Sequence, residues 1–139
     1  MDYKGCCIWA SDIPDEEHPH YIVVISSPDE DGLVLIALIS SIKFKSDGRF
    51  AYDGQKCQYY DKSCLLEEGC ITEHIPSKPS FVAYKWSEAV KADDLFQKQV
   101  LSVYKYKANI SEDLLRKIQD GAKASGQIEE RFEKYFELF

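Results

Sequence analysis

Three histidines, His18, His20 and His74, are the side chains of this 139-residue chain suited to moving protons near neutral pH, since imidazole is the side chain whose ordinary pKa lies there. Two of them flank Pro19 and lead straight into the apolar run 21–25, so both rings are expected at one end of a β-strand, at the mouth of a sheet. As metal ligands, two imidazoles at i and i+2 are an incomplete set that needs His74 or a cysteine brought in by folding, and exposed loop histidines are the competing reading. No metal or other cofactor is called. Ser40 and Ser41 end the longest apolar run, where their hydroxyls either line a site or satisfy backbone groups at a strand end. Cys64 follows Lys62 closely enough for the ammonium to lower a thiol pKa, yet Leu65 and Leu66 come next, and an inert buried thiol is expected.

The common catalytic signatures are absent: there is no Gly-rich phosphate loop, no GxSxG elbow, no HExxH and no zinc-spaced cysteine set. Tyr84-Lys85-Trp86 and Tyr104-Lys105-Tyr106-Lys107 alternate aromatic and basic residues at strand period. Alternation sends the rings to one face and the lysines to the other, whereas a stacking surface for single-stranded nucleic acid wants both on one face. Lys85 is retained as a candidate binding residue.

The elements that must position these groups are mostly short strands. Apolar runs rich in β-branched and aromatic residues occupy 6–9, 21–25, 33–42, 80–86 and 100–106, and Ser27-Pro28-Asp29-Glu30-Asp31-Gly32 reads as the reversal between the second and third. Segment 44–62 is polar with scattered aromatics and no period, a long loop expected to act as a lip over a site. After residue 106 the period changes. Ser111 is placed to cap a helix over 112–124, and Ile128, Phe132, Tyr135, Phe136 and Phe139 form a helical stripe beyond Ser125-Gly126. That stripe is expected to dock on the same chain or on a dimer partner.

The length fits one domain, and 45% hydrophobic with 29% charged residues is the mix of a globular protein. Five cysteines, an odd number without a CxxC pair and without a secretory leader, suggest a reducing, cytoplasmic setting, and no run is long enough to span a membrane. The net charge of −7 disfavours broad, salt-driven binding to phosphate backbones, although 78–107 holds six lysines against Glu88, Asp93 and Asp94.

Gly5-Cys6-Cys7-Ile8-Trp9, His18-Pro19-His20 with the strand that follows, the run 33–41, Asp61-Lys62-Ser63-Cys64-Leu65-Leu66-Glu67-Glu68-Gly69 and Ser80-Phe81-Val82-Ala83-Tyr84 together resemble the PemK/MazF-like toxin family over about residues 5–90. With the two helices read from the C-terminal pattern over 109–139, the expected architecture is α+β, mainly β, and for residues 1–108 the resemblance implies an SH3-like (PemK-like) antiparallel barrel. It also implies a frequent homodimer, metal-independent cleavage of single-stranded RNA and neutralisation by a partner antitoxin. The active toxins use an arginine just before the second strand and a Ser/Thr at the end of the next. His20 stands nearest the former position, and Ser40-Ser41 stand at the latter. The usual acidic residue after the first glycine is replaced by Cys6, and Arg49, Arg116 and Arg131 are the arginines present.

Two functions follow. One is an endoribonuclease with His20 as acid/base, Ser40 or Ser41 orienting phosphate, His18 and Lys85 binding, and Arg49 or His74 reaching in from loops. The other is a non-catalytic SH3-like interaction module, a degenerate relative of the toxins that binds protein or nucleic acid and dimerises through its C-terminal stripe.

Overall fold

A computed structural model describes residues 3–44, 46–48 and 59–139. Within them the fold is α+β and mainly antiparallel β. Strands β1 (Cys6–Asp15), β2 (His18–Val24), β3 (Leu33–Ser41), β4 (Leu65–Leu66), β5 (Ser80–Val82), β6 (Glu88–Lys91) and β7 (Tyr104–Asn109) are joined by helices α1 (Ala92–Val100) and α2 (Glu112–Ala124). The sheet order is β4-β5-β3-β2-β1-β7. β6 shares the β5 side of β3, pairing with its first half while β5 pairs with its second. Among the described residues no pairing joins β4 to β7, so the sheet is open.

The apolar runs at β2 and β3 are continuous because both faces of these strands are buried. Strand alternation divides them. Val23, Ile25, Leu35, Ala37 and Ile39 enter one core with Ile118 and Ala122 of α2 and with Phe132 and Tyr135. Ile22, Val24, Val34, Ile36 and Leu38 enter a second with Ile8, Ala10, Phe81, Ala83 and Leu95 of α1.

The reversal expected at 27–32 joins β2 and β3, with Tyr21 opposite Ile39. Asp29 organises it by accepting from the N–H groups of Asp31 and Leu33, each at 2.9 Å. Ser111 caps α2 by accepting from the Leu114 N–H at 3.2 Å.

Other expectations change. Residues 100–106 are not one strand: Val100 ends α1, Ser102 takes a φ of 61°, and β7 starts at Tyr104. The run 80–86 is β5 followed by a 3-10 turn, Tyr84–Trp86, so Lys85 and Trp86 do not alternate across a sheet. The second C-terminal stretch is a 3-10 helix, Glu130–Leu138, rather than an α-helix. With three residues per turn, Phe132, Tyr135 and Leu138 line up, and the first two are buried. Tyr135 donates to Asp29 at 2.8 Å and the Leu138 carbonyl accepts from the Ser27 N–H at 2.8 Å, fixing this tail to the β2–β3 loop. Of the expected loop over 44–62, positions 45 and 49–58 lie outside the described residues, and Arg49 and Cys57 with them. No helix among the described residues is long and apolar enough to cross a membrane.

Candidate functional site

The second core ends in a cleft. β1 and β2 are joined by a turn at Asp15-Glu16-Glu17-His18, with Pro14 opposite Pro19 and a register shift between Ala10 and Pro14. Proline donates no ladder hydrogen bond, so it suits an irregular strand end such as this. The Asp15 carboxylate accepts from the Glu17 N–H at 2.9 Å and sets the turn.

His18 and His20 share a face of β2 with Ile22 and Val24. Continuing the β2–β3 register by one step beyond Tyr21–Ile39 brings His20 opposite Ser40. Ser40 is in turn paired with Phe81 of β5. The result is a cleft of about 350 Å³ lined by Pro14, Asp15, His18, His20, Leu38, Ser40, Lys43, Tyr59, Ala83 and Trp86.

Each imidazole is held through its own Nδ1. His20 Nδ1 lies 2.6 Å from the His18 carbonyl oxygen, and because a carbonyl only accepts, this nitrogen carries the proton and Nε2 keeps the lone pair in the neutral ring. His18 Nδ1 lies 2.9 Å from Asp15 Oδ1. The hydrogen bond from the His18 ring, aided by the Glu17 N–H, holds the Asp15 carboxyl below its ordinary value against a smaller desolvation effect. Each ring is thus oriented through Nδ1, as a general acid/base pair requires of its Nε2 atoms.

Residues 59–61 bring Tyr59 to the cleft. Asp61 is buried and accepts from the Ser125 hydroxyl and, at 2.8 Å, from the Ser63 N–H, while Gln127 Nε2 donates to the Tyr60 carbonyl at 2.8 Å. Anchored to the end of α2 in this way, Tyr59 stacks on Phe81 with centroids 6.3 Å apart and meets Trp86 edge-on at 6.3 Å.

His18, His20 and Ser40, the first two separated from the third by about twenty positions in sequence, therefore share one concavity. Ser41 does not join them: adjacent strand residues point to opposite faces, and it sits exposed across from Ser80. His74 is exposed in the turn bridged by Thr72 and Ile75 and is not a lining residue. Lys85 is exposed on the 3-10 turn, also outside the lining. Arg49 lies outside the described residues. Sequence reasoning missed Asp15 and Lys43, and named neither Tyr59, within the segment expected as a lip, nor Trp86, within the aromatic–lysine run, as a site residue. The Asp15–His18 spacing across a tight turn was the available signal for the first, and an aromatic beside a lysine for the last.

Other concavities offer less chemistry. A depression of about 430 Å³ holds Arg131 and Lys134, but Arg131 is paired with Glu129 at 2.5 Å, and its Tyr135 hydroxyl is committed to Asp29 with the pKa pushed up to about 12 by burial and that bond. Asp12, Lys98 and Tyr104 line a third and are bonded to one another, tying α1 to β1. The buried thiols Cys7 and Cys64 are poor nucleophiles: burial pushes Cys7 up to about 12 and also raises Cys64. Among the described residues no three His, Cys, Asp or Glu side chains are grouped so as to hold a metal ion. Comparison with protein-family models, with curated proteins and with solved structures returned no match for this chain.

Proposed function

We propose that the protein is a PemK/MazF-type endoribonuclease of the cytoplasm that cuts single-stranded RNA without a metal, its open antiparallel sheet being a variant of the SH3-like barrel. What supports this is one observation: two imidazoles, each oriented through Nδ1, share a cleft with the hydroxyl-bearing Ser40.

In the proposed reaction, His20 Nε2 takes the proton of a ribose 2′-hydroxyl. The 2′-oxygen attacks the adjacent phosphorus and the bond to the 5′-oxygen breaks, leaving a 2′,3′-cyclic phosphate. Protonated His18 returns a proton to the departing 5′-oxygen, so one proton is taken up and one given back. Ser40 and Lys43 hydrogen-bond the non-bridging phosphate oxygens where negative charge grows. An antitoxin-like protein covering the cleft and a homodimer are the partners that go with this activity.

The rival is a non-catalytic interaction module. It is favoured by the charge of the cleft, in which, among the described residues, Lys43 is the one permanent cation and Asp15 opposes it. Chelator-treated protein incubated with single-stranded RNA separates the two. The nuclease yields 2′,3′-cyclic phosphate ends, and His20→Ala slows cleavage by about 10²–10⁴-fold. RNA left intact at large protein excess overturns the nuclease and leaves the module.

A further inference from the structure

Trp86 is 41% exposed, an unusual state for the largest apolar side chain, and it is exposed at the rim of the cleft rather than on open surface. Its backbone is fixed, with the Trp86 N–H donating to the Ala83 carbonyl at 3.0 Å and the Ser87 N–H to the Tyr84 carbonyl at 3.1 Å. Tyr59 meets it at an interplanar angle of 64°, and Tyr59 itself lies nearly parallel to the buried Phe81, at 24°. Two rings set at a steep angle make an aromatic corner on one wall. The same cleft is lined by His18, His20, Ser40 and Lys43, groups that bond to sugar and phosphate.

We propose that this corner is the subsite for one unpaired nucleobase, stacked on Trp86 and flanked by Tyr59, next to the phosphate that the histidines act upon. The inference deepens the nuclease reading and rests on it for the identity of the ligand. A base offers a flat π-face to an exposed indole, and stacking of this kind is tolerant of sequence. A duplex cannot reach the corner, because its bases are already stacked on each other. A proline-rich peptide is the less suitable occupant: beside Tyr59 and Trp86 the described lining carries imidazoles, a hydroxyl and an ammonium rather than a second aromatic ridge.

Trp9 and Trp86 are the tryptophans of the chain, so Trp9→Phe leaves Trp86 as the sole indole reporter. The probes are hexamers of deoxyuridine and deoxyadenosine, which lack the attacking 2′-hydroxyl and cannot be cut by the proposed route. Both are expected to quench Trp86 emission, and a GC-rich DNA duplex stable at the assay temperature is not. Trp86→Ala is expected to weaken hexamer binding, measured by anisotropy of a labelled strand, by about tenfold or more, with Trp86→Phe largely restoring it and circular dichroism unchanged. His20→Ala in the same single-tryptophan background is expected to remain quenchable. Quenching without any RNA cleavage upholds the base subsite and removes the nuclease. Cleavage by a Trp86→Ala protein with unchanged KM and kcat overturns the subsite and spares the nuclease. Quenching by a proline-rich decapeptide but by neither hexamer overturns the subsite in favour of a peptide groove.

Discussion

The two faces of the sheet begin alike and end differently. On one, the rows Val23–Ile25 and Leu35–Ala37–Ile39 run beneath α2 and the C-terminal 3-10 helix and are covered along their length. On the other, the rows Ile22–Val24 and Ile36–Leu38 run past α1 and then change character, with His20 and Ser40 taking the next positions of the same alternation. The covered face is packed tightly at Gly121, where a Cβ would stand 2.3 Å from the Tyr84 hydroxyl and 2.9 Å from the Cys64 Cβ. The open face carries the imidazoles of His18 and His20. Stability and chemistry are thereby assigned to opposite sides of the same strands, and substitutions on the two sides should separate accordingly.

The largest loss of stability is expected on the covered face. Ile118→Ala removes a fully buried side chain and should cost about 2–5 kcal/mol in urea unfolding. Gly121→Ala should cost about 1–3 kcal/mol by overpacking, because Tyr84 must give up its 2.6 Å hydrogen bond to the Ile118 carbonyl to make room. Neither loss is matched on the open side, where His20→Ala should leave the unfolding midpoint close to the parent's. Ser111→Ala, which removes the cap of α2, should cost about 1 kcal/mol.

A smaller effect appears with alkali. Burial and the bond to Asp29 raise Tyr135 from 10.0 to about 12, so the folded protein disfavours its phenolate. That contribution is complete below the ordinary tyrosine value and is lost as pH rises through about 12. The thermal midpoint should therefore fall over this window, and less steeply in Tyr135→Phe. Smallest of all is the pattern of alkylation. In the native protein exposed Cys70 should react with iodoacetamide while Cys7 and Cys64 stay protected.

Much of the scaffold was legible because its signals are local. β-branched runs gave β2 and β3, and Ser111 with the acidic pair behind it marked the start of α2. Helix α1 escaped because a single side chain of its nine residues, Leu95, is buried, which leaves almost no apolar period to read. The C-terminal stripe was misjudged because Phe132, Tyr135 and Phe136 satisfy three- and four-residue spacings together, and tertiary bonds through Asp29 and Ser27 accompany the tighter winding. In the cleft, the pairing of the histidines with a serine was readable, whereas the choice of Ser40 over Ser41 needed the register. Tyr59 and Trp86 arrive through a loop and a 3-10 turn, which carry no periodicity to announce them.

The sharpest test of the open face uses the two adjacent serines in one experiment. Single-turnover cleavage of a single-stranded RNA in chelator should be slowed by Ser40→Ala and left at the parental rate by Ser41→Ala, since one hydroxyl lines the cleft and the other lies across the sheet. Equal rates for the two variants, or a loss confined to Ser41→Ala, would contradict the assignment of chemistry to this cleft.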